Sequence, residues 1–166
     1  TTAAFYCYWQ SQKSRHWFYW FGAWVGIAVM LKSIVGLLPV IIAALDLTIS
    51  RRWAAVGFRT TLKAAGIALV IVAPWHLYET VRHGMVFWRS YIGFHVVDRT
   101  FESLYANDVS WWWYADILFR KTFPYKFLLP LALLASVVRF VRARDALDRL
   151  LLIATAVLFA VFSAAQ

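Results

Sequence analysis

The residues best equipped for chemistry crowd into one stretch, Pro74 to Arg99, PWHLYETVRHGMVFWRSYIGFHVVDR. Three of the four histidines lie there (His76, His83, His95), with Glu79, Asp98 and several arginines. Imidazoles and carboxylates exchange protons near neutral pH, and the planar fork of arginine grips phosphate or carboxylate. His95 and Arg99 are four residues apart and share one face of a helix. They read either as an anion clamp or as local pairing of Arg99 with Asp98 or Glu102. His76 follows Pro-Trp and reads as an interfacial residue, while His83-Gly84 reads as a turn after a helix. Outside the stretch, Lys32 interrupts an apolar run. It is either a point charge for a lipid phosphate or an anchor that snorkels to the headgroups. Glu79, Asp98, Glu102, Asp108 and Asp116 are all candidate bases, and nothing in their spacing selects one. There is no HExxH, no Cys–His cluster, no P-loop and no dinucleotide fingerprint, so neither a metal nor a nucleotide cofactor is named. A divalent ion stays open.

These residues need a scaffold, and composition says which kind. Apolar residues make up 63% of 166, charged residues 15% and aromatics 19%, with ten Trp. Soluble domains lie near ~25% charged, so the chain reads as an integral membrane protein whose Trp and Tyr gather at two interfaces. The net charge of +9 is assigned to topology and not to nucleic acid, because Lys and Arg mark cytoplasmic loops. A single cysteine, Cys7, excludes an internal disulfide.

Taken in order, Thr1–Trp9 suits the last turns of a helix, and Gln10–His16 is a basic link. Trp17–Ile49 is 33 residues with only Lys32 and Asp46 charged and with cations on both flanks. One straight helix would run roughly 50 Å through a core about 30 Å thick. A hairpin turning near Lys32-Ser33 is therefore expected, its second arm loosened by Gly36 and Pro39. Arg51–Lys63 holds four cations and no acid, the clearest cytoplasmic loop. Thr60–Tyr78 crosses outward and is expected to leave the membrane at Pro74-Trp75. Residues 79–126 form a large extracytoplasmic loop with surface helices and an aromatic belt at Trp111–Tyr114. Phe127–Val138 returns to a patch of Arg139, Arg142, Arg144 and Arg149, diluted by Asp145 and Asp148, and Leu150–Gln166 starts outward again. The expected fold is all-α: a polytopic helical bundle of about five spans plus part of a sixth, one transmembrane domain over residues 1–166. Thr1–Gln10 has no basic n-region or cleavage site and is not a signal peptide. Both ends read as cut, so the chain is expected to be the interior of a longer protein.

Three segments, in order, resemble a known group. Trp24–Val40 (WVGIAVMLKSIVGLLPV) is similar to the GLA-x-LTKG-x-x-x-LLLP segment of bacterial membrane glycosyltransferases, the protein O-mannosyltransferase-like group that includes aminoarabinose transferases acting on lipid A. Pro74–Arg99 resembles that group's outer loop, and Trp112–Pro130 (WWYADILFRKTFPYKFLLP) the aromatic stretch after it. Ser33 stands where the group has glycine, and Tyr125 where it often has Trp. The resemblance implies a GT-C-type enzyme of the bacterial cytoplasmic (inner) membrane. Such an enzyme takes a sugar from a polyprenyl-phosphate carrier to an acceptor lipid, glycan or protein at the extracytoplasmic face. Lys32, His95 and Arg99 fall on the group's cavity residues for lipid phosphate and sugar. The group's catalytic acid lies in a first extracellular loop that this sequence does not contain, so the resemblance implies that the chain alone is inactive. Two other classes remain: a transporter or flippase for a lipid-linked or anionic substrate, built on the broken helix near Lys32, and a non-catalytic membrane subunit whose outer loop is a docking surface.

Overall fold

The computed structural model describes residues 1–98, 116–117, 120–121, 123 and 125–164. The protein is all-helical, with no strand among the described residues. Three helical stretches are long and apolar enough to cross a membrane: Trp17–Ile49, Phe58–Gly93 and Ala146–Ser163. The hairpin Trp17–Ile49 is partly packed inside the protein, with 39% of its apolar window buried, while the other two turn most of their side chains outward. Only 6% of the apolar window in Phe58–Gly93 is buried against the protein, and Leu69 and Val70 are 64% and 72% exposed. A water-soluble fold does not leave so continuous an apolar surface uncovered, whereas lipid covers it without cost. The chain divides into two compact units, Thr1–Phe87 and Trp88–Gln166, and each is described by itself.

In the first unit, α1 (Thr2–Ser11) leads through a short turn into α2 (Trp17–Lys32). A tight 3-10 turn, Ser33–Leu37, reverses the chain into α3 (Leu38–Ile49), with Pro39 in the first turn of α3, where its missing N–H costs nothing. Tyr8 of α1 proves the reversal. Its ring packs 6.4 Å from Phe18 and 5.6 Å from Phe21 on α2, and its hydroxyl donates to Asp46 on α3 at 2.6 Å. The start of α2 and the end of α3 therefore lie side by side. Trp17–Ile49 is a hairpin, as its length and basic flanks require.

A one-turn α4 (Trp53–Val56) precedes the long α5 (Phe58–Trp88). The basic loop is thus shorter than expected, with Arg59 and Lys63 already helical. Helix α5 crosses α2 through small residues. Gly22 lies against the Ala64 backbone, so that a β-carbon there would overlap it, and one on Gly26 would stand 3.0 Å from the Ala68 carbonyl oxygen. Such Gly-x-x-x-Gly seams let membrane helices approach until their backbones touch. Residue numbers rise together along this seam, so α2 and α5 run parallel. Both begin at a basic link, and the cations of Gln10–His16 and Arg51–Lys63 meet at one end of the unit.

Pro74 does not end α5. The helix continues through it and breaks at Gly84, whose φ of 55° and ψ of −136° glycine adopts most easily, before a last turn to Trp88. A membrane helix tolerates a proline because side chains re-satisfy the freed groups. The carbonyl that Pro74 deprives of its helical partner is that of Val70; on the turns around it, His76 Nδ1 bonds the Val72 carbonyl at 2.9 Å and Thr80 donates to the His76 carbonyl at 2.6 Å.

In the second unit, Arg89–Asp98 winds as a wider π-type helix. Two helices then form a hairpin, α6 (Tyr125–Ala143) and α7 (Ala146–Ala164). Its two-residue turn is pinned twice. Asp145 caps α7 by accepting from the Leu147 amide at 2.8 Å. Arg139 reaches over with its fork, Nε to one oxygen of buried Asp148 at 2.9 Å and Nη2 to the other at 2.5 Å. The acids that dilute this basic patch in the sequence hold its turn together.

Candidate functional site

Lys32 is the last residue of α2 and is exposed. The C-terminal end of a helix carries partial negative charge, so a lysine is favoured there whatever else it does. The residue after it is unusual. Ser33 adopts φ 54° and ψ −139°, close to the first central position of a type II′ turn, which glycine dominates. Its hydroxyl oxygen is buried and has no hydrogen-bond partner among the described residues. Gly36 then lies so close to the backbone of Ala28 and Val29 that no β-carbon fits. The hairpin tip is compact, and Lys32 is exposed at it.

Gly22 faces Ala64 and Gly26 faces Ala68 along the parallel seam, and the same offset, continued to the end of α2, runs from Lys32 to Pro74. Just beyond it, the break at Gly84 folds Phe87 back on α5. Its ring lies 5.5 Å from Trp75 and 6.1 Å from the His76 imidazole, and Trp75 and His76 meet edge to face at 4.9 Å. The carbonyl of Val72 can only accept, so His76 Nδ1 carries the proton and neutral His76 has its acceptor nitrogen at Nε2. One turn further on, Glu79 pairs with His83 at 3.5 Å. This end of the first unit therefore carries Lys32 at the hairpin tip and, on α5, two imidazoles, a carboxylate and Arg82 beside aromatic rings packed edge to face. Such an arrangement can hold an anionic group and move a proton beside it.

Of the three residues expected to bind the lipid phosphate and sugar, Lys32 sits at this end of the first unit. His95 is on the π-type segment Arg89–Asp98 of the second unit, where the backbone alone is described. Arg99 lies outside the described residues, as do Glu102, Asp108 and the belt Trp111–Tyr114. Two of the candidate bases are engaged: Glu79 with His83 on α5, and Asp116 with Arg120 at 2.7 Å. No group of three metal-ligating side chains occurs among the described residues.

Sequence reasoning passed over Asp46. It is fully buried inside the hairpin and receives the Tyr8 hydroxyl, which also lies 3.3 Å from the Ala43 carbonyl. An acid enclosed in a membrane bundle is a functional candidate by default. The signal was present, since Asp46 is the one carboxylate in a 33-residue apolar run, but its partner lies 38 residues away on another helix. No protein-family model, no curated protein and no solved structure matches the chain.

Proposed function

We propose that the chain is part of a membrane glycosyltransferase of the GT-C type, moving a sugar from a polyprenyl-phosphate carrier to an acceptor at the extracytoplasmic face of a bacterial cytoplasmic membrane. The reading assigns five spans and part of a sixth, with the basic links inside. One observation carries it beyond the ordered resemblance. Lys32 is an exposed cation at the tip of the α2–α3 hairpin, at the end opposite the basic links, and the α2–α5 register, continued from Gly22 and Gly26, runs from it to Pro74. In such a transfer the phosphate departs with growing negative charge, and a fixed cation at headgroup depth stabilises that charge more than the ground state. Arg99 is the second cation of the reading, with His95 beside it. A carboxylate base deprotonates the acceptor hydroxyl in this reading.

The test is Lys32→Ala in the intact parent enzyme. Transfer should fall about 10²–10³-fold, the size seen when one transition-state donor is removed, with insertion and amount unchanged. Lys32→Arg should recover part of it. Normal transfer by inserted Lys32→Ala removes the lysine from the mechanism.

The broken helix at Ser33 and the buried Asp46 also fit a transporter or flippase, since interrupted helices and enclosed acids mark transport sites. Movement of a labelled lipid-linked sugar across vesicles, with no sugar transferred, would favour that second reading.

A further inference from the structure

At the basic end of the first unit, a cavity of about 200 Å³ opens where the Gln10–His16 link meets α4 and the first turn of α5. Lys13, Arg15 and Arg52 line it with Gln12 and Thr60, and Phe18 forms part of an apolar wall. No carboxylate is among its described lining residues. Two separate basic segments of the sequence thus converge on one hollow, which membrane topology alone does not require.

The hydrogen bonds show what the hollow lacks. Arg52 Nη1 donates to Gln12 Oε1 at 2.7 Å. With its oxygen so engaged, Gln12 presents Nε2, which is buried and has no partner among the described residues. Lys13 is steadied with its ammonium 4.9 Å from the Trp9 ring centre. Three basic residues and the one unsatisfied amide donor, Gln12 Nε2, thus border the space, and a buried donor left unsatisfied is costly. An oxyanion supplies the missing acceptor. The volume is below the roughly 300 Å³ at which pockets for whole drug-sized ligands begin, so it suits a phosphate and its immediate ester and not a nucleotide.

We propose that this cavity is a phosphate site, filled by the headgroup of an anionic phospholipid or by free phosphate. Basic pockets between membrane helices on the cytoplasmic side hold such headgroups. The site is separate from the Lys32 end and does not depend on any transferase activity.

The test is titration of the detergent-solubilised chain with short-chain phosphatidylglycerol and, in parallel, phosphatidylcholine, with bound lipid counted by native mass spectrometry. The anionic lipid should bind more tightly. Lys13→Gln and Arg52→Gln should each weaken it roughly fivefold, the worth of one cation near a membrane surface. Arg59→Gln, an exposed cation outside the cavity, should leave it unchanged. Inorganic phosphate that displaces the lipid shows that the site accepts the free ion; failure to displace it shows that the ester is the ligand. Equal binding of the two lipids overturns the proposal. So does an unchanged affinity in Lys13→Gln, whose exposed position spares the fold, or an equal loss in Arg59→Gln.

Discussion

Ser33 holds a backbone conformation that serine adopts only under strain, with a buried hydroxyl that bonds nothing among the described residues. Both faults disappear in Ser33→Gly, because glycine occupies positive φ at no steric cost. Strain of this kind is worth of order 1–3 kcal/mol, so Ser33→Gly should raise the unfolding free energy by about 1 kcal/mol in detergent, read as a higher thermal midpoint. Ser33→Val should lower it, since a β-branched side chain fits that region worst. A Ser33→Gly protein no more stable than the parent would mean that the tip relaxes away from this geometry. The spacing of the sequence located the turn, but it could not show that serine sits in glycine's place under strain.

At the scale of elements, the seam between α2 and α5 separates two glycines that look alike in the sequence. Gly22 is pressed on Ala64, whereas a β-carbon on Gly66 would meet nothing within 4 Å. Gly22→Leu should therefore force the helices apart, costing roughly 1–3 kcal/mol for overpacking. Gly66→Ala should be neutral or stabilising by up to about 1 kcal/mol through helix propensity. Thermal midpoints of the two variants measure both effects, and equal losses would remove the seam. The hairpin was legible, because a 33-residue apolar run with basic flanks cannot cross once and keep both ends on one side. The end of α5 was legible in part: His83-Gly84 reads as a turn after a helix and Gly84 does break α5, whereas Pro74-Trp75, the expected exit, stays within the helix. The Arg139–Asp148 fork was hidden: nine residues of spacing across a turn not yet placed show charges, not partners.

For the molecule as a whole, the distribution of charge and the length of the hairpin set the remaining question. Helix α2 has 16 residues, a rise of about 24 Å, which is short of a hydrocarbon core of about 30 Å. Lys32 at its tip makes up part of the difference, since a lysine stem lies along apolar surface while its ammonium reaches the headgroups. If the hairpin enters the bilayer this deeply, Lys32 and Arg51 contact water on opposite sides. Cys7 is the only cysteine and is buried, so Cys7→Ala provides a background for single cysteines. In intact cells a membrane-impermeant maleimide should label Lys32→Cys. Arg51→Cys and Arg144→Cys should react only after the membrane is opened, because positive loops stay inside. Labelling of Lys32→Cys and Arg51→Cys from the same side would show that the hairpin lies in one leaflet. The lysine would then stand on the cytoplasmic side with the other cations, and the proposal that it meets a lipid-linked sugar on the outer face would fall with it.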